Sequence, residues 1–263
     1  MATYVPLNYE TFGAKAIKSG ETYSFAAGRG IVPIVGLEFA NVASCMPIAF
    51  FRESGQYAPV ALMSFVPGRN LFVGPDGRWL GPYVPATFRT DPLRLLRLEG
   101  SIDQWALCID SESPAVVEAG DVGIRLYDPS GEFSVAVKAM VELLTALEKS
   151  RVATMKAVAA LAQAGLMCPW DIKLNTEHGE SAVAGLYRVD EGALNSISAQ
   201  AFLELRSVSA LSLAYTQLTS MVQLRALQQL CSVQDRLRAS KALQHEPSAP
   251  TFSITDQDSL HFG

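Results

Sequence analysis

Histidine is nearly missing from this chain. Three histidines in 263 residues, His178, His245 and His261, leave little on which to build an imidazole acid/base pair or a metal centre. Two of them stand near the C-terminus and one in a predicted hairpin turn. Cysteine is scarce too: Cys45, Cys108, Cys168 and Cys231 are far apart, with no CxxC pair. That spacing excludes a zinc ribbon or a disulfide framework and reads as buried reduced thiols. GxSxG, HExxH, GxxxxGK and EF-hand patterns are all lacking. Gly28-Arg29-Gly30 starts like a dinucleotide fingerprint, but Pro33 occupies the third glycine position and cannot open a helix over a pyrophosphate. No cofactor is therefore expected. No apolar run reaches the 18 or so residues of a spanning helix; Phe25 to Phe51 is interrupted by Arg29 and Glu38, so no transmembrane segment is predicted. The start, MATYVPLNYETFG, carries neither a basic leader nor an apolar core, which predicts a cytoplasmic protein. Basic residues are outnumbered 21 to 26 for a formal charge of -5, which argues against a nucleic-acid binder that works through phosphates.

What the chain does have is apolar content, 49% of its residues, enough for a substantial core, and one unusual stretch. Residues 65 to 92, FVPGRNLFVGPDGRWLGPYVPATFRTDP, interleave prolines and glycines with Phe65, Phe72, Trp79, Tyr83 and Phe88 and with Arg69, Arg78 and Arg89. Such a segment cannot be a plain helix. Gly74-Pro75-Asp76-Gly77 predicts a tight turn, because Pro presets φ, Asp bonds back to the backbone and Gly supplies positive φ. NLFV and RWLGPYV are the predicted hairpin arms. The aromatics can be core with arginines bracing the turns. Alternatively, Trp, Tyr and Arg together have the composition of a recognition surface.

Taken in order, residues 4 to 64 read as strands separated by Gly, Pro and Asn breaks, with a short helix around Glu38 left open. Trp105 to Ile109 is a strand ending at Asp110, followed by Glu112, a spacing that suits either paired carboxylates or a strand end with a turn. Asp128 to Gly131 is a second turn. Gly131 to Gly165 switches to a helical period with Phe133, Val137, Met140, Val141, Leu144, Leu147, Val152, Met155 and Leu161 near one face, a break near Ser150 being an option. Residues 170 to 189 read as a hairpin turning at 177–180. Asp190 and Glu191 open the next helical region, Ser198 caps another, and residues 210 to 242 are helical again. From Glu246 the composition changes: Glu246, Asp256 and Asp258 stand without Lys or Arg among Phe252, Ile254, Leu260 and Phe262. This predicts a flexible tail ending in a docking peptide.

PVALMSFVPGRNLFVGPDGRWLGPYVPATFRTDP at 59–92, LCIDSESP at 107–114, Pro169-Trp170 and GLYRVDEGALN at 185–195 follow one another in an order that resembles the bacterial SapC-like family, over about residues 4 to 240. The resemblance implies an association with paracrystalline surface layers, with outer-membrane receptors and with flavin-dependent halogenase-like proteins. It implies no catalytic residue.

The expected architecture is α+β: an antiparallel β-rich body over residues 1 to 130 completed by two or more long helices in the C-terminal half, with residues 1–243 as one domain and 244–263 as the tail. The expected function is a non-enzymatic binding or assembly protein with a protein or peptide partner, self-association being a further expectation. Candidate binding residues are Arg69, Phe72, Arg78, Trp79, Tyr83, Arg89, Tyr187, Arg188 and Asp190, with Phe252, Ile254, Leu260 and Phe262 for tail docking. The alternative is an enzyme or accessory subunit modifying a peptide or aromatic small molecule, with Asp110, Tyr187, Arg188 and Asp190 sharing a cleft.

Overall fold

Short apolar segments punctuated by Pro and Gly become strands, and the long 3.6-period stretches become helices, in a computed structural model that describes residues 3–18, 22–97, 104–120, 123–176, 179–183 and 185–244. All three histidines and the four predicted tail-docking residues lie outside this set. The N-terminal half contributes β1 (Tyr4–Pro6), α1 (Tyr9–Phe12), β2 (Lys15–Ile17), β3 (Ile31–Pro33), α2 (Phe39–Ala43), β4 (Ile48–Glu53), β5 (Gln56–Leu62), α3 (Ala86–Arg89), β6 (Leu93–Arg97), β7 (Trp105–Asp110), β8 (Val116–Glu118) and β9 (Ile124–Arg125). Then come α4 (Val135–Gln163), β10 (Met167–Pro169), β11 (Ile172–Thr176), β12 (Gly179–Val183), β13 (Leu186–Val189), α5 (Glu191–Leu194), α6 (Ala199–Ser207), α7 (Ala210–Ser220) and α8 (Gln223–Gln244). The fold is α+β. Among the described residues, strand pairing is antiparallel throughout.

The largest sheet runs β10-β13-β4-β5-β3, and smaller ones run β1-β7-β6 and β8-β2-β9. The predicted second hairpin is β11 with β12, its turn at 177–178 lying outside the described residues. β13 leaves that hairpin and inserts between β10 and β4, so the later β segment completes the first large sheet. α7 seals the seam with polar side chains that are themselves fully buried. Gln217 accepts from Val189 N (3.0 Å) and donates to Ile48 O (3.1 Å), and Ser220 Oγ accepts from Ile48 N (2.9 Å). Buried backbone groups need such partners.

Two apolar cores result. The larger contains Ile48, Phe50, Leu62, Phe72, Phe88, Leu161 and Ala214; the smaller contains Phe12, Leu93, Ile109, Leu126, Val137 and Leu144. α4 touches both, and it is one continuous helix of 29 residues with no break at Ser150. Its Val137 and Leu144 end enters the smaller core and its Ala157, Val158 and Leu161 end enters the larger. Between them Ser150 Oγ and Thr154 Oγ1 accept from Leu37 N (3.0 Å) and Gly36 N (2.7 Å), satisfying the free donors of the 3-10 turn Gly36–Glu38. That turn and α2 resolve the helix left open around Glu38. The buried stripe drifts around α4 by about 20° per seven residues, which leaves the predicted face position Val152 at 58% exposure. The predicted helix over 210–242 is two helices, α7 and α8, separated at Met221 and Val222.

Candidate ligand cavity beside the aromatic stretch

The turn at 74–77 forms as its residues dictate. Gly77 N donates to Gly74 O (2.9 Å), Asp76 Oδ1 accepts from Arg78 N (3.1 Å), and Gly77 takes φ +83°. A side chain at Gly77 would also meet Ser24 Oγ at 2.4 Å, because the turn is docked on residues 22–24 with Tyr23 N donating to Gly77 O (2.6 Å). The predicted hairpin arms shrink to one bridge, Val73 to Trp79, with Gly74 N to Arg78 O and Leu80 N to Phe72 O, both at 2.8 Å. Beyond them Pro82 and Pro85 have no N–H to extend the ladder.

The aromatic rings form a chain instead of a ladder. Phe72 stacks on Trp79 (5.6 Å between centroids), Trp79 meets Tyr23 (5.6 Å) and Phe88 (5.8 Å), and Phe25 stands edge-on to Phe88 (6.0 Å). Trp79 Nε1 donates to Tyr83 O (2.8 Å). The Tyr83 hydroxyl donates to Glu38 Oε1 (2.9 Å) and accepts from Arg89 Nη2 (3.2 Å), and the Arg89 guanidinium lies 5.3 Å from the Tyr83 ring centroid. Glu38, 3% exposed, also accepts from Ala86 N (2.6 Å) at the start of α3. Burial, followed by the adjacent Glu38 carboxylate, pushes the Tyr83 hydroxyl up to about 12. A proton so firmly held is a structural brace.

This braced segment separates two concavities. On one side is a cavity of about 430 Å³ whose walls include Tyr23, Phe25 and Phe88, Met140 from α4, and Lys18, Arg89 and Asp91 as charged groups. On the other is a more open groove of about 400 Å³ between β3, β6 and α4, lined by Pro33, Leu95, Leu144, Leu147 and the Glu148–Arg151 ion pair. Thr90 borders both.

Asp91 distinguishes the first cavity. Its carboxylate is half-buried and makes no hydrogen bond or ion pair among the described residues. Nearby cations are occupied. Arg94 Nη1 donates to Thr90 Oγ1 (2.8 Å) and Thr87 O (3.1 Å), and Arg29 sits 5.9 Å from the Phe88 ring centroid. Burial raises the Asp91 carboxyl above the usual range, and Asp110 adds to this while Arg94 and Arg29 oppose it.

The sequence-predicted residues divide into groups. Phe72, Trp79, Tyr83 and Arg89 come together in the aromatic cluster. Arg69 turns away to α8, pairing with Asp235 (2.5 Å) and Gln234 Oε1 (3.3 Å), with its Nε buried and lacking a partner. Arg78 is exposed beside Asp76 (3.6 Å). Tyr187 packs edge-on against Tyr57 (5.0 Å), Arg188 donates to Val189 O (3.0 Å), and Asp190 caps α5 by accepting from Ala193 N (3.0 Å). Asp110 accepts from Thr3 N (2.9 Å). None of Asp110, Tyr187, Arg188 and Asp190 lines either concavity. Sequence reasoning missed Lys18, Tyr23, Phe25, Glu38 and Asp91; the only signal was the Asp91-Pro92 end of the aromatic stretch. No disulfide joins the four cysteines; Cys108 is buried, and Cys45, Cys168 and Cys231 are partly exposed. No cluster of metal-ligating side chains occurs among the described residues, and none of their helices is long and apolar enough to cross a membrane.

A family model described as SapC matches residues 7–227. The chain belongs to the SapC family. The SapC match takes in the aromatic stretch and both concavities, whereas Gln234 and Asp235, the partners of Arg69, lie beyond it. No match was found among curated proteins or among solved structures.

Proposed function

We propose that this SapC chain is a non-enzymatic binding protein whose recognition element is the cavity behind the aromatic stretch. The observation that carries the reading is the cavity itself: it is concave, mainly apolar, walled by Tyr23, Phe25 and Phe88, and supplied with a few charged groups, which is how small-ligand sites are built. The groups an enzyme of this composition would use are dispersed: Asp110 accepts from the Thr3 amide, Asp190 caps a helix, and Tyr187 packs on a neighbouring ring. That dispersal favours binding over catalysis. With the association with surface layers and outer-membrane receptors that the resemblance implies, such a cavity suits an accessory that holds a ligand or a partner's side chain during assembly.

Titration with 1-anilinonaphthalene-8-sulfonate, an aromatic anion that fluoresces when shielded from water, tests the reading. Saturable one-site binding is expected, and Phe25→Asp, which puts a charge in the cavity wall, should abolish it without unfolding the chain. Binding that does not saturate, or that survives Phe25→Asp, would overturn the assignment.

A further inference from the structure

We infer that the cavity takes a zwitterion with an aromatic-sized apolar body, a ligand of the α-amino-acid class, its ammonium on Asp91 and its carboxylate at Lys18 and Arg89. The inference rests on the binding reading above and adds the ligand's chemistry. The first support is the state of Asp91: a half-buried carboxylate without a hydrogen-bond donor among the described residues carries a desolvation cost that a donor brought by a ligand would remove. The second is the rim. Lys18 is exposed and has no ion-pair partner among the described residues, and Arg89 is exposed with its bonding confined to Tyr83. The third is the wall, where Tyr23, Phe25 and Phe88 give an apolar body something flat to pack on.

Simpler ligands fit less well. A bare amine would meet Asp91 but bring a positive charge into a region already holding Lys18 and Arg89 at the lining and Arg29 and Arg94 near Asp91. A bare carboxylic acid would meet the rim cations yet leave Asp91 without a donor and add a second negative charge beside it. Only a molecule carrying both charges answers Asp91 and the rim together, and its apolar part then fills the aromatic end.

Calorimetric titration of the full chain at pH 7.5 with L-phenylalanine, phenethylamine and 3-phenylpropionate separates these cases, since the second lacks the carboxylate and the third the amine. L-phenylalanine is expected to bind about tenfold or more tighter than either analogue, a difference of about 1.4 kcal/mol. Asp91→Asn should weaken L-phenylalanine by a similar factor and leave 3-phenylpropionate unchanged or tighter. Lys18→Met should weaken L-phenylalanine and spare phenethylamine. Equal affinity for 3-phenylpropionate and L-phenylalanine, or an Asp91→Asn variant with undiminished affinity, would overturn the proposal. If Asp91→Asn fails to fold, the comparison of the three compounds on the unaltered chain decides alone. A cavity that binds anilinonaphthalene sulfonate but none of the three compounds sinks the zwitterion assignment and keeps the binding reading; one that binds nothing sinks both.

Discussion

Two carboxylates, Asp91 within the aromatic stretch and Glu38 bonded to it from a distant turn, behave in opposite ways because of what faces them. Glu38 is nearly fully buried, yet it receives an N–H and a phenolic O–H, so its position is a brace for α3 and Tyr83. Asp91 is less buried and receives no hydrogen bond from the described residues, so it gains from protonation. Its folded-state value is raised, which means the folded chain binds more protons than the unfolded chain between the ordinary carboxyl value near 4 and that raised value. Stability from this group therefore falls as pH climbs through the window. Asp91→Asn should remove that part of the slope and be at least as stable as the natural chain at neutral pH, as read by urea midpoints over a pH series. An unchanged slope would show that Asp91 does not titrate there.

Among the elements, α4 carries the most structure because its stripe serves two cores in succession. At its end, Gly165 N donates to Ala162 O and Leu166 N to Leu161 O, both at 3.0 Å, closing a Schellman cap with Gly165 at φ +70°. Leu166 thereby enters the larger core and the chain turns into β10. An added Cβ at Gly165 would meet nothing within 4 Å, so any cost of Gly165→Ala comes from the backbone alone. A loss of about 1 kcal/mol is expected. It should appear as a lowered urea midpoint with an unchanged slope; no loss would mean that the helix end relaxes out of the left-handed region.

For the molecule as a whole, a long-range tie joins the aromatic stretch to α8. Arg69 is buried at 7% exposure while Asp235 remains half exposed, and Gln234 Nε2 adds a bond to Leu71 O at 2.5 Å. Removing the anion leaves a buried cation uncompensated, whereas removing the cation leaves a charged partner, Asp235, that water can solvate and a neutral one, Gln234, that keeps its bond to Leu71 O. Asp235→Ala should accordingly cost about 1–3 kcal/mol, and Arg69→Met less, with the double variant close to Arg69→Met. Urea unfolding of the three variants checks this order; the reverse order would place the tie's value in the packing of Arg69.

Legibility in the sequence followed how local the cause was. The turn at 74–77, the caps at Asp190 and Ser198, the stop at Gly165 and the change from strand to helix near residue 131 are set by side chains and φ preferences within a few residues. The hairpin arms beyond Val73 and Trp79 failed because proline removes donors that the alternation pattern does not register. Family membership was also legible, in the order of the aromatic and turn blocks. What the tertiary structure alone decided is which distant groups meet. It brings Tyr23 and Phe25 to Phe88, Glu38 to Tyr83, and Arg69 to Asp235, and it leaves Asp91 with no hydrogen-bond or ion-pair partner among the described residues at a cavity wall. Periodicity reports which face of an element is apolar; it carries no information about which other element will cover that face, or where the covering leaves a gap.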